Sequence, residues 1–463
     1  MEVDTTAAHD KLKHIGHLLR TVVANKISPA RLAAFQALKE IEEGKFSSVA
    51  LSELRSDLSP VDRALAHELI LGVLRWQLHL DAIIEHFSGR DANKLDPPVR
   101  RALRLGIYQL RFLSRVPASA AVNESVNLIA FARLSSARPF VNAVLRRATR
   151  EPNYSPTKDI SDPLERIAIK TSHPRWLVEH WSNTFGIEQA ELIAAANNVT
   201  PPTAFRVVKS VANEKEVLEK LRSAGAELVP SKIASSAWRA SGATSKVREL
   251  SDVGAIYLQD EASQLVAGVL KAQPGDRVLD VCSAPGGKTT LIAERAGDDA
   301  QVVGMDVSAR RLSTVARTID RHGLKNIRLM LGDAGAALPF EKGTFDRVLL
   351  DAPCSGTGTL RHNPELRWRL TIDDIGRLAE QQKRFLLNAA TVVKPGGLLV
   401  YSTCSIEVEE NEQVVRDFLS TNDEFKQVKV SVNSELLMNS GAARTWPHRD
   451  GTDGFFVAAF ERR

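Results

Sequence analysis

The chain has 463 residues, of which 43% are hydrophobic and 25% charged, so it is long enough for two or three domains of an ordinary globular protein. No apolar run reaches the about 18–20 residues of a membrane span, and the N-terminal residues lack the apolar core of a signal peptide. The three cysteines are too few for a disulfide framework and show no zinc-ligand spacing, so we expect a cytoplasmic protein without a metal.

Positive charge is concentrated in the first third of the chain. Residues 1–150 contain 22 Lys and Arg against 15 Asp and Glu, whereas the remaining residues contain 39 against 41. Amphipathic runs such as "SPARLAAFQALKEIEEG" predict helices through residues 28–150. A basic helical domain is typical of proteins that bind a polyanion such as nucleic acid, although a solvated surface with a chance bias explains the charge equally well.

One predicted helix in this region, "DPPVRRALRLGIYQLRFLSR", carries an arginine face. At about 100° per residue its arginines fall within one arc, whereas Leu103 and Ile107 fall on another face. We therefore predict that the arginine face contacts the backbone of RNA or DNA, the alternative being an ordinary solvated surface. The five residues are Arg100, Arg101, Arg104, Arg111 and Arg115.

The rest of the chain predicts two further structural types. Residues 151–245 contain a helical pair broken at Phe185-Gly186 and then a strand–helix–strand pattern, which indicates a small α+β domain. Further along, strands alternate with helices, which predicts a parallel, doubly wound sheet with its ligands at the carboxyl ends of the strands. The predicted strands are 277–281, 301–306, 327–331, 347–351 and 397–402.

The first of these strands leads into a glycine-rich turn and a helix, "GDRVLDVCSAPGGKTTLIAE". Gly286 and Gly287 permit close approach of a ligand, and the helix N-terminus offers free N–H groups to a nucleotide-like group. The stretch is not a phosphate-binding P-loop, because Cys282 stands where that motif needs glycine. The predicted cofactor loop consists of Cys282, Ser283, Ala284, Pro285, Gly286, Gly287 and Lys288.

Four successive predicted strands end in aspartate, namely Asp280, Asp306, Asp333 and Asp351. Such a rim of acceptors suits a ligand with a ribose diol, an amine and a positive charge, and S-adenosylmethionine has all three. Capping of the following helices is the alternative for any single aspartate, but four aspartates in corresponding positions favour the ligand.

Two of the three cysteines, Cys354 in "LLDAPCSG" and Cys404 in "VYSTCSIEVEENE", lie just beyond predicted strands. Carbon 5 of a pyrimidine is a poor nucleophile, but a thiolate that adds to carbon 6 converts the ring into an enamine that can attack a methyl group. A neighbouring aspartate could stabilise the charge that develops on the base. The residues thus predict covalent methylation of a pyrimidine, and by themselves they do not decide which cysteine attacks.

The motifs "DVCSAPGGKT", "DAPCSGTGTLRHNPELRWR" and "VYSTCSIEVEENE" resemble those of the RNA cytosine-5 methyltransferases of the Sun/NOP2 family. Residues 122–147 resemble the NusB-like domain of the bacterial members that act on small-subunit rRNA. The resemblance implies an all-α NusB-like domain at 1–150, a helical linker and small α+β domain at 151–245, and a Rossmann-like S-adenosylmethionine methyltransferase domain at 246–463.

The resemblance also implies roles for individual residues. It makes Cys404 the nucleophile and gives Cys354 a part in product release. It further implies that Asp351 contacts the target base and that Lys288 lies near the methyl donor and the base. The implied contacts of S-adenosylmethionine are the loop 282–288, Asp306, Asp333 and Asp351.

The implied substrate is one cytosine of 16S rRNA, modified by a monomer before the 30S subunit is fully assembled. The alternatives are the same chemistry on tRNA or another RNA, and an inactive RNA-binding factor in rRNA assembly. Val208 and Glu365 depart from the family pattern, which usually has Asn and Asp at these positions, so details of RNA contact stay open.

Overall fold

The computed structural model describes residues 27–54 and 58–463. Residues 1–26, which we assigned to the first predicted domain, and residues 55–57 within it lie outside the described part. Among the described residues, no helix has the length and apolar character needed to cross a membrane.

The described chain divides into two compact units. The first contains the residues up to Asn198 together with Asn363–Trp368, and the second contains Val199–His362 and Arg369–Arg463. Residues 151–198 therefore group with the helices before them, whereas we had assigned them to the linker domain. The three predicted domain ranges stay a prediction.

The first unit is built of helices whose starts follow ordinary capping rules. Pro60 begins one helix, and the hydroxyl of Ser59 before it accepts the N–H of Asp62. Buried aliphatic side chains such as Leu103 and Ile107 form its core. The α-helices are Pro29–Glu42, Ser47–Ser52, Pro60–Arg75, Gln77–Ser88, Pro97–Phe112, Ala118–Phe131, Arg138–Arg150, Pro163–Thr171, Arg175–Phe185 and Ile187–Ala196.

The predicted arginine face on helix Pro97–Phe112 is not an exposed surface. Arg101 and Arg104 are each only 4% exposed. Arg104 donates to both carboxylate oxygens of Asp81, at 2.7 and 2.6 Å, and Arg101 pairs with Glu42. A guanidinium that is buried against a carboxylate is not available to a phosphate, so the prediction of a five-arginine nucleic-acid face is wrong for these two residues.

The other three arginines differ from one another. Arg115 is exposed and lies beyond the end of the helix at Phe112, whereas Arg100 and Arg111 are half-buried. Arg111 also donates to the carbonyl oxygen of Glu151 at 2.9 Å. A contact of these three side chains with RNA stays a prediction.

The segment Asn363–Trp368 is held in the first unit by a buried cation. Arg367 is fully buried and donates to the carbonyl oxygen of Ser172 at 3.1 Å and to the Asn198 Oδ1 at 3.0 Å. Burial lowers the pKa of Arg367 to about 9. Glu365, one of the two departures from the family pattern, accepts the N–H of Ser47 at 2.9 Å. Glu365 thus has a structural partner in this unit.

The second unit begins with a small antiparallel sheet in the order β2-β3-β1-β4. Helices Glu214–Ser223 and Thr244–Asp252 pack with it around Phe205 and Leu221. Val208, the other departure from the family pattern, is fully buried directly after β1. The strands are β1 Thr203–Val207, β2 Glu227–Pro230, β3 Ala237–Ser241 and β4 Ile256–Leu258.

A larger mixed sheet follows, in the order β10-β12-β9-β8-β5-β6-β7, with β11 paired to β12. Strands β5 to β9 run parallel, as predicted, and β12 adds to them antiparallel. The strands are β5 Arg277–Asp280, β6 Gln301–Asp306, β7 Ile327–Leu331, β8 Phe345–Asp351, β9 Val393–Thr403, β10 Phe425–Val428, β11 Ala443–Arg444 and β12 Phe456–Arg462. The helices are Glu261–Val269, Gly287–Ala296, Ala309–His322, Ile372–Thr391, Val414–Thr421 and Pro447–Asp450, with a π-helical turn at Glu409–Gln413. The short helix Leu366–Arg369 begins within the segment Asn363–Trp368 of the first unit and ends at the residue where the chain returns to the second.

Strand β9 is longer than its sequence suggested. It begins at Val393, whereas the predicted strand begins at 397, and it contains Pro395 and Gly396, a pair of residues that usually marks a turn. Val393 pairs with Phe345 of β8, and the register then shifts between Phe345 and Arg347. The irregularity accommodates the additional residues without moving the carboxyl end of the strand.

We expect Arg104→Ala to destabilise the protein by about 3 kcal/mol or more, because it leaves Asp81 buried without its cation. The exposed Arg115→Ala should change stability by less than about 0.5 kcal/mol. Urea unfolding followed by circular dichroism measures both. Unchanged stability of the Arg104 variant, combined with weaker RNA binding, would restore the original interpretation of the arginine face.

Candidate functional site

Two cysteines meet where β8 and β9 end. These strands are parallel neighbours in which Asp351 pairs with Ser402, so the chain leaves both strands at the same edge of the sheet. Cys354 follows β8 by three residues, and Cys404 directly follows β9. Their Sγ atoms are 3.2 Å apart, and both are free, half-buried thiols.

The main chain around Cys404 is packed too closely for a side chain at position 358. The N–H of Gly358 donates to the carbonyl oxygen of Cys404 at 3.0 Å, and the N–H of Gly454 donates to the carbonyl oxygen of Gly358 at 2.8 Å. A Cβ atom on Gly358 would lie 1.9 Å from the Gly454 carbonyl oxygen. Glycine is therefore required here for the two cysteine loops to approach.

A partly buried ion pair lies beside the thiols. The Nζ of Lys288 donates to the Oδ2 of Asp351 at 2.7 Å, and the hydroxyl of Ser402 donates to the Oδ1 at 2.7 Å. Burial alone would lower the pKa of Lys288, but the charge and hydrogen bond of Asp351 outweigh it, so the pKa is raised. Lys288 is therefore an ammonium ion, and its charge interacts with the side chain of Cys404.

A cavity of about 150 Å³ adjoins Lys288 and Asp351. The turn before helix Gly287–Ala296 forms one wall, with Gly286 at φ 105°. A Cβ atom on Gly287 would lie 2.9 Å from the ring of Tyr257, so this wall has room for backbone only. The lining residues are Tyr257, Leu258, Gln259, Ser263, Asp280, Cys282, Ser283, Ala284, Pro285, Gly287, Lys288 and Asp351.

Three predicted cofactor residues, Gly286, Asp306 and Asp333, are not among those that line this cavity. Asp306 is 3% exposed, and its carboxylate accepts the N–H groups of Ala284 at 3.3 Å and Ser308 at 2.9 Å. Asp333 is exposed and accepts the N–H of Gly335 at 2.7 Å. Neither aspartate caps a helix, because Ser308 is the N-cap of helix Ala309–His322 and β8 is the next element after Asp333. The capping alternative therefore does not hold for these two residues, and their contact with a cofactor stays a prediction.

The third cysteine, Cys282, is one of the lining residues and lies away from the pair. Burial and the neighbouring carboxylates of Asp280 and Asp351 raise its pKa well above the usual range. Cys282 is therefore a neutral thiol that forms part of the cavity wall.

Sequence reasoning missed the contribution of the small sheet. Tyr257 of β4 lines the cavity, and the guanidinium of Arg206 in β1 lies 5.2 Å from the centre of its ring. Arg206 is fully buried and donates to Thr290 Oγ1 at 3.0 Å and to Glu294 Oε2 at 2.6 Å, both on the helix after the cofactor loop. Two stretches similar to the family carried signals for these residues: "YLQDEASQLV" begins with Tyr257, and "FRVVKS", in which Val208 departs from the family pattern, contains Arg206.

Asp280, at the end of β5, is another buried acid of this cavity. It is 1% exposed, and its Oδ2 accepts the hydroxyl of Thr289 at 2.6 Å. Burial raises the pKa of Asp280 to about 7, although the hydrogen bond from Thr289 lowers it. Near neutral pH, Asp280 therefore exchanges between its protonated and ionised forms.

We expect Asp280 to make stability fall as the pH rises from about 4 to about 7. In this range the folded state keeps a proton that the unfolded state has released, so the contribution is complete below about pH 4 and lost toward pH 7. The loss is on the order of 4 kcal/mol, and Asp280→Asn should remove this slope. Urea unfolding at a series of pH values measures it, and equal slopes in the two proteins would contradict the expectation.

Three family models match the chain in succession. Residues 28–150 match the NusB family, and residues 173–245 match the ferredoxin-like domain of RsmF/B-like methyltransferases. Residues 267–461 match the model described as 16S rRNA methyltransferase RsmB/F. The predicted order of a NusB-like domain, a small α+β domain and a Rossmann-like methyltransferase domain is confirmed.

Full-length relatives show the same similarity. The probable ribosomal RNA small subunit methyltransferase B of Bacillus subtilis is 34% identical, over 95% of this chain and 100% of that protein. The ribosomal RNA small subunit methyltransferase B of Pseudomonas putida is 36% identical, over 92% of this chain and 97% of that protein. The crystal structure of PH0851 superposes with a TM-score of 0.81 at 30% identity, over 94% of this chain and 99% of that one. From its whole-length similarity and its three matching domains, the chain belongs to the RsmB/F family of 16S rRNA methyltransferases.

Proposed function

We propose that the protein transfers a methyl group from S-adenosylmethionine to carbon 5 of a cytosine in 16S rRNA. In this proposal Cys404 bonds transiently to carbon 6 of the base. The observation that carries it is the pair of thiols 3.2 Å apart, beside a partly buried lysine–aspartate pair and a cavity behind a glycine turn. Transfer to nitrogen or oxygen needs no thiol, whereas transfer to carbon 5 of a pyrimidine needs a nucleophile of this type.

The residues around the cavity fit S-adenosylmethionine as the methyl donor. The backbone-only wall at Gly287 allows close approach, and the helix that begins there offers N–H groups. The donor supplies an activated methyl group on a positively charged sulfur, and carboxylates such as Asp280 and Asp351 suit its positive groups. Residues 282–288, Asp306, Asp333 and Asp351 would hold it.

Lys288 and Asp351 prepare the site for addition to the base. The ammonium group of Lys288 favours the thiolate of Cys404, which forms the bond to carbon 6 and moves electron density onto carbon 5. Asp351 is fixed by Lys288 and Ser402, so its remaining lone pairs can accept from the exocyclic amine of the cytosine. These contacts hold the ring while carbon 5 becomes nucleophilic.

The reaction ends when the proton on carbon 5 leaves and the carbon–sulfur bond breaks. Loss of the proton returns an electron pair to the ring, and expulsion of Cys404 then regenerates its thiolate. Cys354 lies 3.2 Å from the departing sulfur, which supports a part for it in product release.

The family and the names of the relatives support 16S rRNA as the substrate. The target base has to leave its stack to reach a thiol at the edge of the sheet, which favours action before the 30S subunit is fully assembled. We propose that the protein acts as a monomer. The same chemistry on tRNA or another RNA is the alternative, whereas the free thiols of Cys354 and Cys404 argue against an inactive assembly factor.

We expect Cys404→Ala to lower turnover by at least about 10³-fold while donor binding, measured by calorimetry, is retained. Cys354→Ala should accumulate a protein–RNA adduct, visible as a slow, RNase-sensitive band on a denaturing gel. The double variant is the control and should form no adduct, because the attacking sulfur is gone. Turnover by Cys404→Ala would assign the nucleophile to another residue.

The choice of RNA is tested by bisulfite mapping of total RNA from a strain that lacks this protein. We expect one 5-methylcytosine to disappear from 16S rRNA and to return when the purified protein and S-adenosylmethionine are added to that RNA. A mark lost from tRNA, with 16S rRNA unchanged, would reject the proposed substrate and favour the alternative.

A further inference from the structure

The two thiols at the strand ends have different surroundings. Cys404 lies near the ammonium group of Lys288. Cys354 lies in a loop whose neighbours include a carboxylate, Glu410, on the π-helical turn Glu409–Gln413. Glu410 belongs to the "EENE" part of the motif around Cys404, and nothing in the mechanism above uses it.

Glu410 is bound to the residue that follows Cys354. Its Oε1 accepts the N–H of Ser355 at 2.9 Å, and its Oε2 accepts the hydroxyl of Ser355 at 2.5 Å. The amide of Gln382 donates to the Oε1 of Glu410 at 2.8 Å and to the carbonyl oxygen of Pro353 at 2.9 Å. The residues on both sides of Cys354 are therefore fixed by one connected network.

This network is fully enclosed. Glu410, Gln382 and Tyr401 are each 0% exposed, and Ser355 is 3% exposed. The hydroxyl of Tyr401 donates to the carbonyl oxygen of Glu410 at 2.5 Å and to the Gln382 Oε1 at 3.2 Å. Partners that are all buried hold their positions more firmly than exposed ones, because water cannot replace any of these bonds.

The groups that face the Glu410 carboxylate are donors. The pKa of Glu410 is raised by burial, and hydrogen bonds from the hydroxyls of Ser355 and Ser405, the N–H of Ser355 and the amide of Gln382 partly offset the rise. Donors satisfy a carboxylate, whereas a protonated carboxyl group would need an acceptor for its own hydrogen. These donors therefore stabilise the charged form of Glu410 against the effect of burial.

We propose that Glu410 is a positioning residue that makes the two cysteines unequal: it fixes the Cys354 loop and, by its negative charge, keeps Cys354 a neutral thiol that does not compete with Cys404 for carbon 6. This inference rests on the proposed function, since it explains why Cys404 and not Cys354 adds to carbon 6. A thiol that stays protonated is a poor nucleophile and does not compete for the base.

The electrostatic surroundings of Cys354 agree with this role. The hydrogen bond with Cys404 raises the pKa of Cys354 well above its usual range, and burial and the charge of Glu410 add to the shift. The titratable groups that face Cys354 are Tyr401 on β9, Cys404 directly after β9, and Glu410 on the π-helical turn. None of the three supplies a positive charge.

Alkylation by iodoacetamide, followed at each cysteine by peptide mass spectrometry over a range of pH, tests the inference without RNA. In the unaltered protein, Cys404 should become reactive at a lower pH than Cys354. Equal midpoints for the two thiols would overturn the inference. This measurement needs no variant, so it stands even if a substitution at Glu410 prevents folding.

The contribution of Glu410 to the alkylation midpoint of Cys354 is measured in a Cys404→Ser background, where the second thiol is absent. Glu410→Gln, which keeps the size of the side chain, should lower the pH midpoint of Cys354 alkylation by about 1–3 units. Glu410→Asp keeps the charge and should retain most of the high midpoint. An unchanged midpoint in the Gln variant, or an equal drop in both variants, would overturn the role of the charge.

Glu412→Gln is the matched control. Glu412 lies on the same π-helical turn but pairs with Arg444 at 2.7 Å, so its substitution should leave the midpoint of Cys354 unchanged. A similar drop of the Cys354 midpoint in this variant would show that the effect comes from disturbance of the turn, and it would contradict the inference. Adduct formation at Cys404 together with equal alkylation midpoints would reject the inference and leave the proposed function standing.

Discussion

Parallel pairing of β8 with β9 is the constraint on which the site depends. The two cysteine motifs are separated by about fifty residues, and each extends only a few residues beyond its strand. Because Asp351 pairs with Ser402, both loops leave the sheet at one edge, and the Sγ atoms come within 3.2 Å. A shift of one residue in this register would turn alternate side chains to the opposite face of the sheet and separate the thiols from the ion pair.

The sheet also explains why the ion pair and the cavity lie next to the thiols. Strand β5 is the other neighbour of β8, and the glycine turn that follows β5 begins the helix that carries Lys288. Three adjacent strand ends thus supply a cofactor wall, a lysine–aspartate pair and two cysteines. The arrangement places one sulfur beside a cation and the other beside a buried carboxylate, so residues of the same type have different chemistry.

Sequence predicted the parts of the site whose geometry follows from strand ends. The convergence of Cys354, Cys404, Lys288 and Asp351 required only the order of parallel strands and the motifs that end them. The sequence pattern did not indicate a role for Arg206, because the partners of Arg206 lie on a helix more than eighty residues further along the chain. Such contacts depend on how the small sheet packs, which periodicity does not encode.

Helix Pro97–Phe112, which carries the predicted arginine face, shows a different error, in which the sequence predicted contacts that the structure does not allow. The pattern of helix Pro97–Phe112 was read correctly as one apolar and one basic face, but the acids that neutralise Arg101 and Arg104 lie on other helices. A helical wheel describes one helix at a time and therefore cannot distinguish a solvated arginine from a buried ion pair. Two of the five predicted RNA contacts are wrong for this reason, and the burial of both side chains shows it.

The central claim is that the sulfur of Cys404 bonds to carbon 6 of a cytosine. A 16S rRNA fragment with 5-fluorocytidine at the target position tests it most directly, because fluorine cannot leave carbon 5 as a proton does and the adduct should persist. After incubation with the unaltered protein and S-adenosylmethionine, mass spectrometry of the digested complex identifies the linked peptide. The account predicts a methylated, fluorinated cytidine attached to the peptide that contains Cys404. Attachment to Cys354, or methylation of the ordinary fragment with no trapped complex from the fluorinated one, would contradict it.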